Sequence, residues 1–146
     1  VIHEDCPVVV YLPENSVKGT ATDQSTLNAT DPDEGDTLTW SLYTDPWSGI
    51  LAIDSTTGEM YANSSDPTND LDYESQITYS GFVMKVTDDD GDYATCEVTL
   101  KLLDENDDPE FGSSSTFYLA EDSDPGDDIG DCSATDEDGD SLTYSL

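Results

Sequence analysis

Carboxylates are the residues here whose type and spacing could do chemistry, and they fall in groups. Glu14 follows an apolar run; Asp72 and Glu74 flank Tyr73; Asp88 closes Val86-Thr87-Asp88. Asp104, Glu105, Asn106, Asp107 and Asp108 run together before Pro109. Asp31 with Asp33, and again Asp136 with Asp138, stand at i and i+2 in turn-rich sequence, the second pair followed by Gly139. Clustered Asp, Glu and Asn on loops offer several hard oxygens at once. That donor set suits calcium, which takes six to eight oxygen ligands, better than magnesium, zinc or copper. The competing explanation is a set of Asp-rich turns whose side chains only hold local amides. It is the better one for Asp89, Asp90, Asp92, Asp127 and Asp128, which are expected in solvated loops.

Other chemistries find little support. His3 is the only histidine and stands at the very start, so neither a Ser-His-Asp nor a Cys-His arrangement is available. Paired carboxylates can hydrolyse glycosides, but these lie at turns between domains with no cleft implied, and no enzyme is expected. Against 35 Asp and Glu stand 3 Lys and Arg, a net charge of -32 that excludes nucleic acid and anionic membrane as partners and favours cations. No apolar stretch approaches the roughly 20 residues that cross a bilayer, and no leader peptide opens the sequence, so a soluble segment of a longer protein is expected. The three cysteines, Cys6, Cys96 and Cys132, lack metal-ligand spacing, and an odd number leaves at least one free or paired outside the chain. Asn28-Ala29-Thr30 and Asn63-Ser64-Ser65 are N-glycosylation acceptors that fit a secreted protein.

What must position these groups is a folded scaffold. The hydrophobic fraction is 34%, with aromatic residues spread along the chain, which argues against an acidic disordered tail. Runs such as Cys96-Glu97-Val98-Thr99-Leu100-Lys101-Leu102 alternate with the period of a half-buried strand. Strands are expected over residues 8–12, 38–43, 49–54, 59–63, 78–87 and 93–103, punctuated by Gly, Asp, Pro and Ser. About a hundred residues of short strands and turns predict a β-sandwich. Its core should hold Val10, Leu38, Trp40, Leu42, Leu51, Ile53, Tyr79, Phe82, Met84, Val86, Val98, Leu100 and Leu102, with Trp47 packed on a loop.

The sequence also repeats itself. Residues 29–42 return as residues 134–146 with one gap at Glu34, and ten of the thirteen aligned positions are identical. Tyr11-Leu12-Pro13-Glu14-Asn15-Ser16 likewise matches Tyr118-Leu119-Ala120-Glu121-Asp122-Ser123. The expected organisation is a short degenerate linker over residues 1–6, a complete repeat over 7–103, a second linker over 104–108, and the opening of a second repeat over 109–146.

In order along the chain, these elements resemble the cadherin family. Pro13-Glu14-Asn15 is similar to its P-E-N element, Leu71-Asp72-Tyr73-Glu74 to L-D-x-E, and Val86-Thr87-Asp88 to A-x-D. Residues 104–109 resemble the D-x-N-D-N-x-P linker, and Asp136-Glu137-Asp138 the D-x-D pair. Residues 51–60 resemble the family's hydrophobic-x-I-D-x-x-T-G-x-I hairpin. The resemblance implies an all-β Greek-key sandwich of about seven strands followed by the start of a second, identical repeat. It implies calcium held by Glu14, Asp72, Glu74, Asp104, Asn106, Asp107, Asp136 and Asp138, with the Glu105 and Asp108 carbonyls and one near Gly139. Asp31, Asp33 and Asp88 would serve a preceding junction with Glu4, Asp5 and the Cys6 carbonyl. Two positions depart from the pattern: Asp108 replaces the usual second Asn, and Ala120 a Pro. The implied function is a calcium-rigidified rod segment of an extracellular or cell-surface adhesion protein, with neighbouring repeats or other copies of itself as partners. The first six residues hold no tryptophan of the kind that strand-swapping cadherins anchor. The alternative is a structural subunit of a glycosylated extracellular fibre, cross-linked through Cys6 and Cys132.

Overall fold

The computed structural model describes residues 6–33, 35–112 and 116–145, and the chain divides into two compact units, Val1–Glu105 and Asn106–Leu146. Among the described residues of the first unit there are seven strands: β1 (Val8–Pro13), β2 (Ala21–Thr26), β3 (Thr39–Thr44), β4 (Leu51–Ile53), β5 (Glu59–Ala62), β6 (Thr78–Thr87) and β7 (Tyr93–Leu103). One helical turn, α1 (Pro67–Asp70), opens on the proline and lies between β5 and β6. The strands form two sheets, in the order β1-β7-β6-β3 and β2-β5-β4.

Alternation dictates which side chains meet between the sheets. β1 buries Val8, Val10 and Leu12 and turns Val9 outward. β7 buries Cys96, Val98, Leu100 and Leu102, and β6 buries Tyr79, Phe82, Met84 and Val86. β1 runs parallel to β7, from Val8 opposite Val98 to Pro13 opposite Leu103. The first and last strands of the unit are therefore neighbours, and everything between them must wrap around and return. Removing these side chains from water is the main favourable term holding the sandwich together.

Six of the seven strands fall where alternation predicts them. β2 does not, because Ala-Thr-Asp-Gln-Ser-Thr has no large apolar side chain to mark a buried face; it pairs with β5 through its backbone, and its Thr22 is buried. The core also differs in detail. Leu38, Leu42 and Ile53 are only partly buried, whereas Leu12, Leu27, Ile50, Met60, Ala62 and Leu71 are inside. Trp40 is buried; Trp47 packs edge-on against Tyr79 at 5.1 Å and donates its indole N–H to the Ser80 carbonyl at 2.8 Å.

Cys6 and Cys96 form a disulfide across 90 residues of sequence, with Cα atoms 5.4 Å apart. Cys6 is thus committed within the chain and unavailable for the intermolecular cross-link expected of a fibre subunit, while Cys132 is an exposed free thiol.

In the second unit, β8 (Glu110–Phe111) pairs antiparallel with β9 (Ala134–Thr135). None of its described residues is buried, so among them there is no hydrophobic core.

Candidate metal centre

At the end of β1 the chain turns sharply, with Asn15 in the left-handed region at φ 54°. The turn is held from two sides: the Glu14 N–H donates to the Leu103 carbonyl and the Asn15 N–H to the Leu71 carbonyl, each at 2.9 Å. Leu71 is fully buried and anchors the loop that carries Asp72 and Glu74. The hydrophobic position of the L-D-Y-E sequence therefore fixes where its acids emerge.

Glu14 is itself only 3% exposed. An ionised carboxylate tolerates burial only when its oxygens are matched, and here each accepts a backbone N–H at 2.8 Å, one from Tyr73 and the other from Glu105. One side chain thus ties the end of β1, the 71–76 loop and the residues after β7. Glu14, Glu74 and Asp104 each bring a carboxylate oxygen within 4.8 Å of the other two. Asp72 is occupied in its own turn, accepting from the Ser75 hydroxyl at 2.7 Å and the Ser75 N–H at 2.9 Å. The hydroxyl bond, with backbone N–H groups in support, lowers its pKa below the usual carboxylate value.

A second acidic group gathers Asp31, Asp33 and Asp36, again with oxygens mutually within 4.8 Å. Asp31 accepts the Asp33 N–H at 2.9 Å, and that bond above all holds its pKa down. Asp36 is pushed the other way, first by partial burial and then by the charges of Asp90, Asp31, Asp33 and Asp89. Asp88 closes the β6–β7 turn, accepting the Asp92 N–H at 2.8 Å. Asp36 was not among the residues expected to bind metal. The signal for it lay in the internal repeat, where Gly35-Asp36 aligns with Gly139-Asp140. Glu4 and Asp5 lie outside the described residues.

In the second unit the Asp107 N–H donates to Asp138 at 2.7 Å, and the Asp107 carbonyl accepts from the Asn106 side-chain amide at 2.8 Å. Asp136 accepts the Asp140 N–H at 3.0 Å, and its carbonyl accepts the Gly139 N–H at 3.2 Å. Gly139 takes φ +75°, a conformation that L side chains rarely adopt. The Asp108 side chain is exposed.

The two glycosylation acceptors differ. Asn28 is exposed, whereas Asn63 is half-buried and donates its side-chain amide to the Gly49 carbonyl at 3.0 Å.

No protein-family model and no curated protein matches the sequence. Solved structures do. A protocadherin gammaB4 extracellular domain is 31% identical over 93% of this chain and 21% of its own, with a TM-score of 0.62. The human desmocollin-1 ectodomain is 29% identical over 78% of this chain and 22% of its own (TM-score 0.61), and mouse cadherin-23 EC22-24 is 25% identical over 93% and 43% (TM-score 0.60). The chain thus spans about a fifth to two fifths of these structures. By strand order and by likeness to these structures the chain is cadherin-like, with the β-sandwich fold of extracellular cadherin domains.

Proposed function

We propose that this chain is a calcium-binding repeat of an extracellular adhesion protein, acting as a segment of a rod that calcium stiffens. The observation that carries the reading is the trio of Glu14, Glu74 and Asp104: three carboxylates held within 4.8 Å by three separate segments, with the central one buried and pinned by two amides. Carboxylates so placed repel one another, and a hard divalent cation relieves that repulsion while recruiting carbonyl oxygens nearby. The motif order assigns the remaining donors to Asp72, Asn106, Asp107, Asp136 and Asp138, with the carbonyls of Glu105, Asp108 and Gly139. Ligands drawn from a repeat, a linker and the following repeat make ion binding inseparable from domain ordering, since bound ions stabilise only the state that assembles them. Asp31, Asp33 and Asp88, with Asp36 beside them, would do the same toward a preceding repeat. The Cys6–Cys96 disulfide and exposed Asn28 suit an oxidising, glycosylating compartment.

The fibre alternative is weakened by Cys6 being paired, because Cys132 alone can join copies in pairs but not in ladders. Limited proteolysis and small-angle scattering of the chain in chelator and in millimolar calcium test the proposal. Slower cleavage near residues 104–108 and a more extended, narrower distribution of lengths are expected with calcium; identical behaviour in both conditions would refute it.

A further inference from the structure

The β1-β7-β6-β3 sheet differs in charge from the rest of the molecule. Its four strands contain one carboxylate, Glu97, in a chain that has 35, and two of the three cations, Lys85 and Lys101. The shorter β2-β5-β4 sheet holds Asp23 and Glu59 and no cation. Strand propensity thins Asp and Glu from any sheet, but it disfavours Lys too, so it does not account for both lysines on one face. Alternation sets that face outward: Met84, Val86, Leu100 and Leu102 are buried, while Lys85, Lys101, Thr99 and Glu97 lie on the opposite side. The Lys85 ammonium lies 4.5 Å from the ring centroid of Tyr93 and 5.9 Å from that of Tyr43, and both rings are more than half exposed.

Chains of charge -32 repel each other. At about 0.15 M salt the screening length is about 8 Å, so contact between copies is decided by local charge, and this sheet is where carboxylates are sparse. Its pattern is also self-complementary. Glu97 and Lys101 stand on one face of β7, two residues either side of Thr99, about 13 Å apart. A two-fold axis lying in the plane of contact and crossing β7 at Thr99 sets each Lys101 against the partner's Glu97. Because Val9 is level with Thr99 in the register, the same axis stacks Val9 on its equivalent. We propose that the chain self-associates through the outer face of this sheet, about a two-fold axis at Thr99. The contact covers roughly 500 Å² per copy, at the small end of specific interfaces, and is correspondingly weak. It does not depend on calcium.

Sedimentation velocity of the full chain, from low micromolar to about millimolar concentration in chelator and about 0.15 M salt, tests this. A concentration-dependent dimer is expected. Glu97→Lys and Lys101→Glu should each weaken it by about tenfold or more, since each sets like charges together, and the double exchange should restore it. A chain monomeric throughout, a dimer indifferent to either single change, or no recovery in the double variant would overturn the proposal. So would a monomer whose sheet face binds an anionic polymer instead. As a probe that leaves the charges alone, Thr99→Cys in a Cys132→Ser background should be joined into a covalent dimer by a short bis-maleimide, because facing sheets stand about 10 Å apart, too far for a direct disulfide; failure to cross-link would also count against the interface.

Discussion

Glu14 has two separable duties, one in the fold and one in the proposed ion site. Its buried carboxylate accepts two backbone N–H groups, from Tyr73 and Glu105. Glu14→Gln keeps one acceptor and turns an amide N–H toward the other donor, so in chelator it should lower stability by about 1–3 kcal/mol. Glu74 is exposed, and Glu74→Gln in chelator should change stability by less than about 0.5 kcal/mol. Both variants should lose part of the stabilisation that calcium adds, because both remove charge from one trio. Urea unfolding with and without calcium reads the difference; if Glu74→Gln retained the full calcium increment, the trio would not be the binding set. The acids of this site were legible in the sequence because their spacing matches a known order. The burial of Glu14 was not, since nothing in Pro13-Glu14-Asn15 shows that Tyr73 and Glu105 will present their amides to it. Asp36 was signalled only by its counterpart Asp140 in the repeat, and its place beside Asp31 and Asp33 depends on the turn that folds it back toward them.

The hairpin joining β4 to β5 shows how an element is set by few residues. Asp54 Oδ1 accepts the N–H groups of Thr56 and Thr57, each at 2.8 Å, and the backbone bonds of Thr57 ahead of Thr56 lower its pKa. Gly58 then takes φ +72°, directly beneath the Trp40 indole. A Cβ there would lie 2.8 Å from Trp40 Cε2. Gly58→Ala should cost about 2–4 kcal/mol, combining the left-handed penalty with displacement of a core aromatic. Tryptophan fluorescence during urea unfolding checks both parts, and a wild-type midpoint would show that the ring yields freely. Such strands and turns could be read from the sequence because alternation and Thr-Gly chemistry are local. β2 could not be, because its position depends on the β5 backbone rather than on its own side chains. Cys6 could not be matched to Cys96 without knowing that β1 lies beside β7.

At the scale of the molecule, the first unit has a buried core and a covalent closure, while the described part of the second has neither. The closure joins the start of the unit to its final strand. Tension applied through the chain at Cys6 therefore passes across the sulfur bridge to Cys96 and out along β7, leaving the residues between them off the path. In a pulling experiment the oxidised unit should yield only its short flanking segments. After reduction the same pull should release roughly 300 Å more, the contour of some 90 residues. An equal extension in both states would show that the bridge does not carry the force. In a rod that contains this repeat, stiffness at its joints would be set by ions, and this sandwich's resistance to stretching by a single bond spanning it.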